Sequence, residues 1–261
     1  MDRTANSSRI SVVDLTIGYD GHAVQSQIDL EIRDREVFAI VGDSGSGKST
    51  LLKTMIGLLA PMSGRVLFDG TTLADRMKEG APPFGVLFQS SALWTSMSVL
   101  ENVTLPMDLE SYSLPGARSE LARFKLALVG LGGNEERYPS SLSGGMKKRA
   151  ALARALALDP RVLFLDEPSA GLDPLSSRRL DELILTLRDG LGITVVVVTH
   201  ELDSLYSIAD RMVFLDGEEH RPVALGRPAE LAVSAASRKV REFLTRQRYD
   251  IAASDVPRDA S

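Results

Sequence analysis

The stretch from Val37 to Leu59 constrains the fold more strongly than any other part of the sequence. It opens with the apolar run VFAIV, continues with GDSGSGKST at residues 42–50 and ends in the helical pattern TLLKTMIGLL. The middle segment fits G-x-x-x-x-G-K-[ST], a pattern that joins a buried strand to a helix through a glycine-rich loop. Because both flanking elements are present, we predict a phosphate-binding loop here rather than a glycine-rich surface turn.

The residue types in this loop indicate that its ligand is a nucleoside triphosphate. Glycines allow backbone N–H groups to converge on phosphate oxygens, and a lysine adds a positive charge. A serine hydroxyl after the lysine is a suitable oxygen ligand for Mg²⁺. The residues predicted to contact the nucleotide here are Gly42, Asp43, Ser44, Gly45, Ser46, Gly47, Lys48, Ser49 and Thr50.

Short runs rich in β-branched residues predict strands along the chain. Those beginning at Val37, Val162 and Thr194 are almost continuously apolar, as expected of parallel strands covered on both faces. We expect an α/β fold with a sandwiched, mainly parallel sheet, in which the closely spaced early strands pair antiparallel. The predicted strand runs are Ile10 to Ile17, Ile28 to Ile32, Val37 to Val41, Val66 to Phe68, Phe84 to Phe88, Val162 to Leu165, Thr194 to Val198 and Arg211 to Leu215.

Between Val99 and Leu158 the sequence shows helical patterns and no convincing strand, broken at Pro115-Gly116 and at residues 130–134. We interpret this region as an inserted helical subdomain. The end of the chain predicts a short amphipathic helix and then a polar, disordered segment. The predicted units are one domain at 8–236, with a core at 8–90 and 159–236 and a helical subdomain at about 91–158, and a tail at 237–261.

Composition excludes several classes of protein. The net charge of −5 gives no overall attraction to nucleic acid or to an anionic membrane, so we expect no nucleic-acid partner. The absence of cysteine excludes disulfides and thiolate metal sites, and three scattered histidines argue against a structural metal. The N-terminus lacks the apolar core of a signal peptide, and no aliphatic run is long enough to span a bilayer. Attachment to a membrane therefore requires another chain.

Polar residues follow three of the predicted strands. Asp166 and Glu167 end the run VLFLDE, where one acid suffices for Mg²⁺ and the other is free to polarise an attacking water. His200 follows TVVVVT, and Gln89 closes FGVLFQ, at the edge where ligands bind in open α/β sheets. Taken singly, each has a structural alternative: a solvated acid pair, a structural histidine, and a glutamine without a function.

A second candidate anion site lies at Leu142 to Ala150, LSGGMKKRA. Ser143, Gly144 and Gly145 precede a helical run, so backbone N–H groups are exposed at a helix start, where an anion binds well. The residues themselves do not explain why one chain carries two such sites.

The ordered set of motifs resembles the ATP-binding subunits of ABC transporters from Ile10 to about Ala232. GDSGSGKST is similar to that family's Walker A, Gln89 to its Q-loop, LSGGM to its signature, VLFLDEP to its Walker B, and His200 to its switch histidine. SAGLD, which ends at Asp173, is similar to its D-loop. Tyr19 lies where the family places an aromatic ring on adenine, with a tyrosine in the core as the alternative.

The resemblance implies ATP and Mg²⁺ as cofactors and a homodimer in which each ATP lies between Walker A of one chain and the signature of the other. Ser143, Gly144, Gly145 and Asp173 then act on the partner's nucleotide, which explains the second anion site. It also implies metal contacts by Ser49, Gln89 and Asp166, the last through water. Glu167 is implied as the catalytic base, with His200 on the γ-phosphate and Gln89 as a sensor of the transport partner.

Met146 departs from the glutamine that the family usually has after the glycine pair. Together with FQSSALWTSMSVLENVTLPM, it resembles the subgroup that energises phospholipid transport with MCE-domain proteins, the Mla ATPases. That resemblance implies a permease dimer and an MCE-domain protein as partners, at the cytoplasmic face of the inner membrane. Trp94, in the loop after Gln89, is expected to contact the permease, with burial in the helical subdomain as the alternative. Val240, Phe243 and Leu244 of the tail helix are expected to dock on the partner ATPase.

Three classes of function remain open from the sequence. The first is the motor subunit of a transporter, for phospholipid or, alternatively, for amino acids, lipoproteins or macrolides. The second is an ABC clamp that acts on DNA or ribosomes, although those proteins usually carry a second ATPase domain or a long coiled-coil insertion. The third is a kinase or GTPase, but the chain has no N-K-x-D motif, and that class leaves LSGGM unexplained.

Overall fold

The computed structural model describes residues 8–78, 80, 84–110 and 115–245. Within these residues the strands are β1 (Ser8–Tyr19), β2 (His22–Arg33), β3 (Val37–Gly42), β4 (Ser63–Phe68), β5 (Thr71–Thr72), β6 (Phe84–Leu87), β7 (Val162–Asp166), β8 (Thr194–Val198), β9 (Arg211–Asp216) and β10 (Arg221–Gly226). The helices are α1 (Lys48–Met55), α2 (Leu73–Met77), α3 (Val99–Leu109), α4 (Pro115–Leu128), α5 (Gly144–Ala155), α6 (Pro174–Leu191), α7 (Leu202–Ile208), α8 (Pro228–Ser234) and α9 at residues 238–245.

The larger sheet has the strand order β10-β9-β3-β8-β7-β6 and is parallel except for β10, which pairs antiparallel with β9. Every residue of the central strands β3 and β8 is buried. Since successive side chains point to opposite sides, both faces of the sheet are covered there. In β3, Phe38 and Ile40 face one core, whereas Val37, Ala39 and Val41 face the other. The predicted sandwiched parallel sheet is confirmed.

The smaller sheet is antiparallel, with the order β2-β1-β4-β5. It covers one face of the larger sheet, and Leu51, Leu52 and Met55 of α1 join the core between them. β1 and β2 extend beyond the predicted apolar runs, and irregularities interrupt their pairing, one of them beside Asp14, which has φ +44°. The predicted antiparallel pairing of the early strands is confirmed.

The other face of the larger sheet is covered by helices. α3, α4 and α5 occupy most of the described residues between 91 and 158, and no strand occurs there. Pro115-Gly116 opens α4 instead of interrupting a helix, which suits the preference of proline for a first helical turn. Gly85 of β6 lies so close to α5 that an added Cβ would be 1.9 Å from the carbonyl oxygen of Ala155. The end of α5 therefore packs directly on the sheet, and the division into core and subdomain stays a prediction.

The tail helix corrects one prediction. Val240, Phe243 and Leu244 of α9 are buried in the chain's own larger core, and the Phe243 ring packs edge-on against Phe214 at 5.3 Å. The apolar face of α9 is therefore covered within the chain and is not available to a partner ATPase. The expected disordered segment after residue 245 lies outside the described residues.

Several short elements were not predicted, among them β10, β5 and α2. β10 contains Pro222, which is tolerated because β10 is an edge strand, where a missing N–H donor costs little. β5 and α2 are too short to show a period in the sequence. None of the three supplies a predicted site residue.

Asp181 of α6 is a buried carboxyl outside all of the predicted motifs. It is 3% exposed, and the Ser204 hydroxyl of α7 donates to its Oδ1 at 2.7 Å. Burial raises the pKa of Asp181 to about 6, and the hydrogen bond from Ser204 opposes that shift. Because the folded-state pKa lies above the ordinary value, the protonated form stabilises the fold at low pH. This contribution is lost as the pH rises through about 6.

We expect Asp181→Asn to gain stability over the wild type as the pH rises. The gain should grow by about 3 kcal/mol between roughly pH 4 and pH 8, because the amide has no charge to desolvate. Urea unfolding at a series of pH values measures it. Glu182→Gln, at the exposed neighbouring position of α6, is the control. A gain that does not change with pH would contradict the assignment.

Candidate active site

Four parallel strands end at the same edge of the larger sheet and bring predicted site residues together. β3 leads into the glycine-rich loop, β7 ends at Asp166, and β8 and β6 are followed by His200 and Gln89. Ligands bind beyond the carboxyl ends of the strands in open α/β sheets. This edge is therefore the candidate active site.

The glycine-rich loop connects β3 to α1 with backbone conformations that suit glycine. Gly42 has φ +152°, and an added Cβ would lie 2.3 Å from the carbonyl oxygen of Leu215. Gly47, with φ +91°, is the N-cap of α1. The ammonium of Lys48 donates to the carbonyls of Gly42 and Asp43 at 2.8 and 2.7 Å. The lysine side chain therefore curls over the loop that the sequence predicts to hold phosphates.

Gln25 of β2 supports this loop and was missed by the sequence analysis. Its side chain is fully buried, and its amide nitrogen donates to the carbonyls of Ser46 and Asp216 at 2.9 and 2.7 Å. One amide thus ties the loop to the end of β9. A single glutamine in an alternating strand carries no motif, so only its buried polar character in the fold reveals the role.

Asp166 has the properties expected of a metal-binding carboxylate. Its Oδ1 is buried and has no hydrogen-bond partner among the described residues. Burial, together with the charge of Glu167, raises the pKa of Asp166. Among the described residues there is no cluster of three or more His, Cys, Asp or Glu side chains able to hold a metal ion. A cation here would thus take its other oxygens from hydroxyls, amides and phosphates, as Mg²⁺ commonly does.

Glu167 and His200 lie in direct contact. Oε2 of Glu167 is 2.8 Å from Nδ1 of His200, a close approach that lacks hydrogen-bond alignment. The glutamate side chain is 11% exposed, whereas that of the histidine is 61% exposed. Glu167 has φ +48°, an uncommon conformation outside glycine, and its N–H donates to the carbonyl of Val198 at 2.9 Å. The carboxylate is thus held under the histidine by a strained backbone.

Lys48 is electrostatically linked to these acids. Burial lowers the pKa of Lys48, and the charges of Glu167, Asp43 and Asp166 oppose that shift. The loop cation and the strand-end carboxylates therefore belong to one charged cluster.

Ser143, Gly144 and Gly145 lie apart from this cluster, next to the start of α6. Ser143 is exposed and caps α5 by accepting from the N–H of Met146 at 3.3 Å. An added Cβ at Gly145 would lie 3.5 Å from Ser176. Met146 is partly buried and packs against the larger core.

Asp173 and Tyr19 occupy two further predicted positions. Asp173 is the N-cap of α6 and accepts from the N–H of Ser176 at 3.0 Å. Hydrogen bonds from Ser176 lower the pKa of Asp173. The Tyr19 ring is at the surface, 45% exposed, with its hydroxyl 3.5 Å from Oγ1 of Thr50 in α1. The alternative of a core tyrosine is wrong.

The sequence matches a known protein family. The profile described as ABC transporter matches residues 25–170, more than half of the chain. The chain belongs to the ABC transporter family. As an ABC ATPase domain it binds and hydrolyses ATP, with Mg²⁺.

Three relatives with assigned names are similar to this ABC ATPase over most of its length. The probable ribonucleotide transport ATP-binding protein mkl of Mycobacterium leprae is 36% identical over 97% of this chain and 73% of its own. The phospholipid transport ATP-binding protein MlaF of Haemophilus influenzae is 37% identical over 92% of this chain and 91% of its own. The methionine import protein MetN of Caulobacter vibrioides is 35% identical over 93% and 73%. ABC ATPases with different cargoes are thus similarly related to this chain.

Solved ABC structures share the fold. CbiO1 of Clostridium perfringens, part of the transporter complex CbiONQ, has a TM-score of 0.78 at 31% identity, over 94% of this chain and 99% of its own. The dimeric cassette MJ0796, in a post-hydrolysis state with ADP and Pi, has a TM-score of 0.74 at 28% identity, over 84% and 98%. The predicted α/β ABC ATPase fold is therefore confirmed.

Lys239 of α9 connects the end of this ABC ATPase to its glycine-rich loop. Its ammonium lies 2.8 Å from Oδ2 of Asp43, 3.2 Å from Asp216 and 3.4 Å from Glu218. The hydrogen bond with Asp43 raises the pKa of Lys239, so this side chain keeps its charge. The tail helix thus places a cation against the only acid in the loop.

We expect Lys239→Met to weaken ATP binding by about threefold at low salt, because the charge of Asp43 then repels the triphosphate. Titration with a fluorescent ATP analogue measures the change, which should shrink at high salt. Arg238→Met is the control, since Arg238 pairs with Glu242 on the exposed side of α9. Equal affinities of both variants and the wild type would show that the contact has no role in binding.

Proposed function

We propose that this ABC ATPase powers phospholipid transport as a homodimer bound to a separate permease dimer, together with an MCE-domain protein. Identity alone favours no cargo, since the three named relatives differ little. The extent of the match supports phospholipid as the cargo. The chain covers 91% of the length of the phospholipid transport ATPase but 73% of the length of each of the other two relatives. The subgroup resemblance around Trp94 and Met146 supports the same cargo.

The roles proposed for the site residues are those that the family resemblance implies, and the geometry of the sheet edge supports them. Mg²⁺, when bound, neutralises phosphate charge, and Ser49, Gln89 and Asp166 would hold it. The unpartnered oxygen of Asp166 fits this role. Lys48 and the loop around it bind the phosphates, and Tyr19 stacks on adenine from the surface.

For hydrolysis, we assign Glu167 as the general base. Its carboxylate accepts the proton of the attacking water. His200, in contact with that carboxylate, orients the carboxylate beside the γ-phosphate. Glu167 is buried, which keeps bulk water away from most of its side chain. The strained backbone at Glu167 supports the assignment, because such strain is concentrated at functional sites.

We expect Glu167→Gln to lower kcat by about 10²- to 10⁴-fold, because the amide cannot accept the proton. ATP affinity should stay near the wild-type value, since the phosphate loop is unchanged. Phosphate release and nucleotide titration measure the two quantities. Glu201→Gln, which removes a charge next to His200, is the control with near-normal turnover. Near-normal turnover of Glu167→Gln itself would contradict the assignment.

The second anion site is proposed to act on the nucleotide of a second copy. Ser143 and the glycine pair lie at the exposed start of the 12-residue helix α5. Asp173, at the neighbouring start of α6, is proposed to contribute at the same interface. A helix start with free N–H groups suits the γ-phosphate of ATP held by the partner's loop. ATP binding then closes the two chains and hydrolysis releases them.

Trp94 is proposed to contact the permease. Among the helices of the described residues, none combines the length and hydrophobicity that crossing a bilayer requires. The Trp94 side chain is 58% exposed, so the alternative of burial is wrong. The backbone N–H of Trp94 donates to Oδ1 of Asn102 at 2.8 Å, and the side-chain amide of Asn102 donates back to the Trp94 carbonyl at 3.0 Å. An exposed indole on a backbone that is held in this way is a suitable anchor for a protein partner at the cytoplasmic face of the inner membrane.

Purification of the tagged chain from its native membranes tests the cargo. We expect a permease, an MCE-domain protein and bound phospholipid in mass spectrometry of the purified complex. Trp94→Ala should lose about 90% or more of all three, by analogy with hot-spot residues. Phe124→Ala, which removes another exposed aromatic ring, is the control. Recovery of a methionine or other permease would overturn the cargo assignment and leave the ATPase activity unaffected.

A further inference from the structure

Lys148 is a buried cation that none of the assigned motifs uses. It lies in α5, is 5% exposed, and donates from its ammonium to two backbone carbonyls, of Gln89 at 2.7 Å and of Glu167 at 3.1 Å. Burying an ammonium is costly unless its hydrogen bonds are made. These two bonds therefore fix the ammonium between the loop after β6 and the residue that follows β7.

Both of the backbone segments that Lys148 joins contain uncommon conformations. Glu167 has φ +48°, and the loop after Gln89 continues with Ser91 and Ala92 at φ +63° and +46°. Such conformations persist only where surrounding contacts enforce them. The carbonyl bond from Lys148 and the N–H bond to Val198 are two contacts that restrain the backbone of Glu167.

Arg154 adds a second connection from the same helix. Its guanidinium donates to the carbonyls of Ala92 and Ser91 at 2.6 and 2.9 Å. α5 also packs on β6 at Gly85, so its distal end cannot shift without moving the sheet. One helix therefore fixes three carbonyls of the loop and one of the acid that follows β7.

Burial and the nearby acids act on the pKa of Lys148 in opposite directions. Burial lowers the pKa of Lys148, and the charges of Asp166, Glu167 and Glu201 oppose that shift. The ammonium thus lies within the field of the strand-end acids while bonding to backbone alone in the contacts described.

We propose that Lys148 is a positioning residue for ATP hydrolysis, which holds the backbones of Gln89 and Glu167 in a fixed relation to the signature helix. This inference rests on the proposed roles of Gln89 and Glu167. The ammonium acts through the backbone of the base and transfers no proton. Because α5 starts at the site that serves the partner's nucleotide, Lys148 also links that start to the base of its own chain.

Lys148→Met tests the proposal, because methionine is apolar and of similar reach but has no donors. We expect kcat to fall by about 10- to 100-fold, as a misplaced catalytic group does, while ATP affinity stays within about threefold. Lys148→Arg keeps the charge and the donors and should restore most of kcat. Lys78→Met, which removes an exposed ammonium that pairs with Asp75 outside the assigned motifs, is the control.

Hydrogen exchange gives a readout that is independent of turnover. In Lys148→Met, amides at 89–92 and 167–170 should exchange about threefold faster than in the wild type or Lys78→Met, because a local restraint is lost. Amides of the central strands should be unchanged. Faster exchange throughout the chain, with affinity and kcat lost together and no rescue by arginine, would show a general structural role and overturn the proposal.

The result for Glu167→Gln separates the two proposals. If that variant is inactive while Lys148→Met turns over within about twofold of the wild type, the role of Lys148 is wrong and the base assignment stands. If Glu167→Gln hydrolyses ATP normally, both are wrong. If Lys148→Met fails to fold, Lys148→Gln, which keeps hydrogen-bond donors but has no charge, replaces it. The proposal is then tested by the same comparison of kcat with ATP affinity.

Discussion

A strand that is buried on both faces has room for polar chemistry only at its ends, and the site depends on this constraint. β3, β7 and β8 are apolar on both sides, so charged residues follow the strands instead of interrupting them. Because these strands and β6 are parallel, their carboxyl ends meet at one edge. The phosphate loop, the acids and His200 are neighbours for that reason, although more than a hundred residues separate the loop from the acids.

The sequence predicts those parts of the site whose chemistry is tied to a local pattern. The glycine-rich loop, the acids after an apolar run and the serine before a glycine pair each have a spacing that physical chemistry explains. Gln25, Lys148 and Lys239 have none, since each bonds to groups that are distant in the chain. A lysine within a helix is usually a solvated residue, and only the fold shows that Lys148 is buried.

The tail shows a second limit of pattern reasoning. The spacing of Val240, Phe243 and Leu244 predicts an apolar helix face, and the structure confirms that such a face exists. Periodicity does not specify what covers it, and here the cover is the chain's own core around Phe214. Burial of that face turns Lys239 towards Asp43, so packing of the tail and the charge of the phosphate loop are connected. The sequence shows the tail helix and the phosphate loop, but it does not show that Lys239 of one contacts Asp43 of the other.

Met146 replaces the glutamine that the family usually has after the glycine pair, and this change is consistent with the different contacts made along α5. At the start of the helix, Ser143 and the glycines expose backbone donors, whereas Met146 packs inward against the core. An anion at this helix start is recognised by backbone N–H groups, so the side chain that follows the glycines is free to serve packing. Two residues later, the Lys148 ammonium points into the chain and donates to the backbone carbonyls of Gln89 and Glu167. The first two turns of one helix thus combine an exposed site for a partner's nucleotide with an internal restraint on the chain's own base.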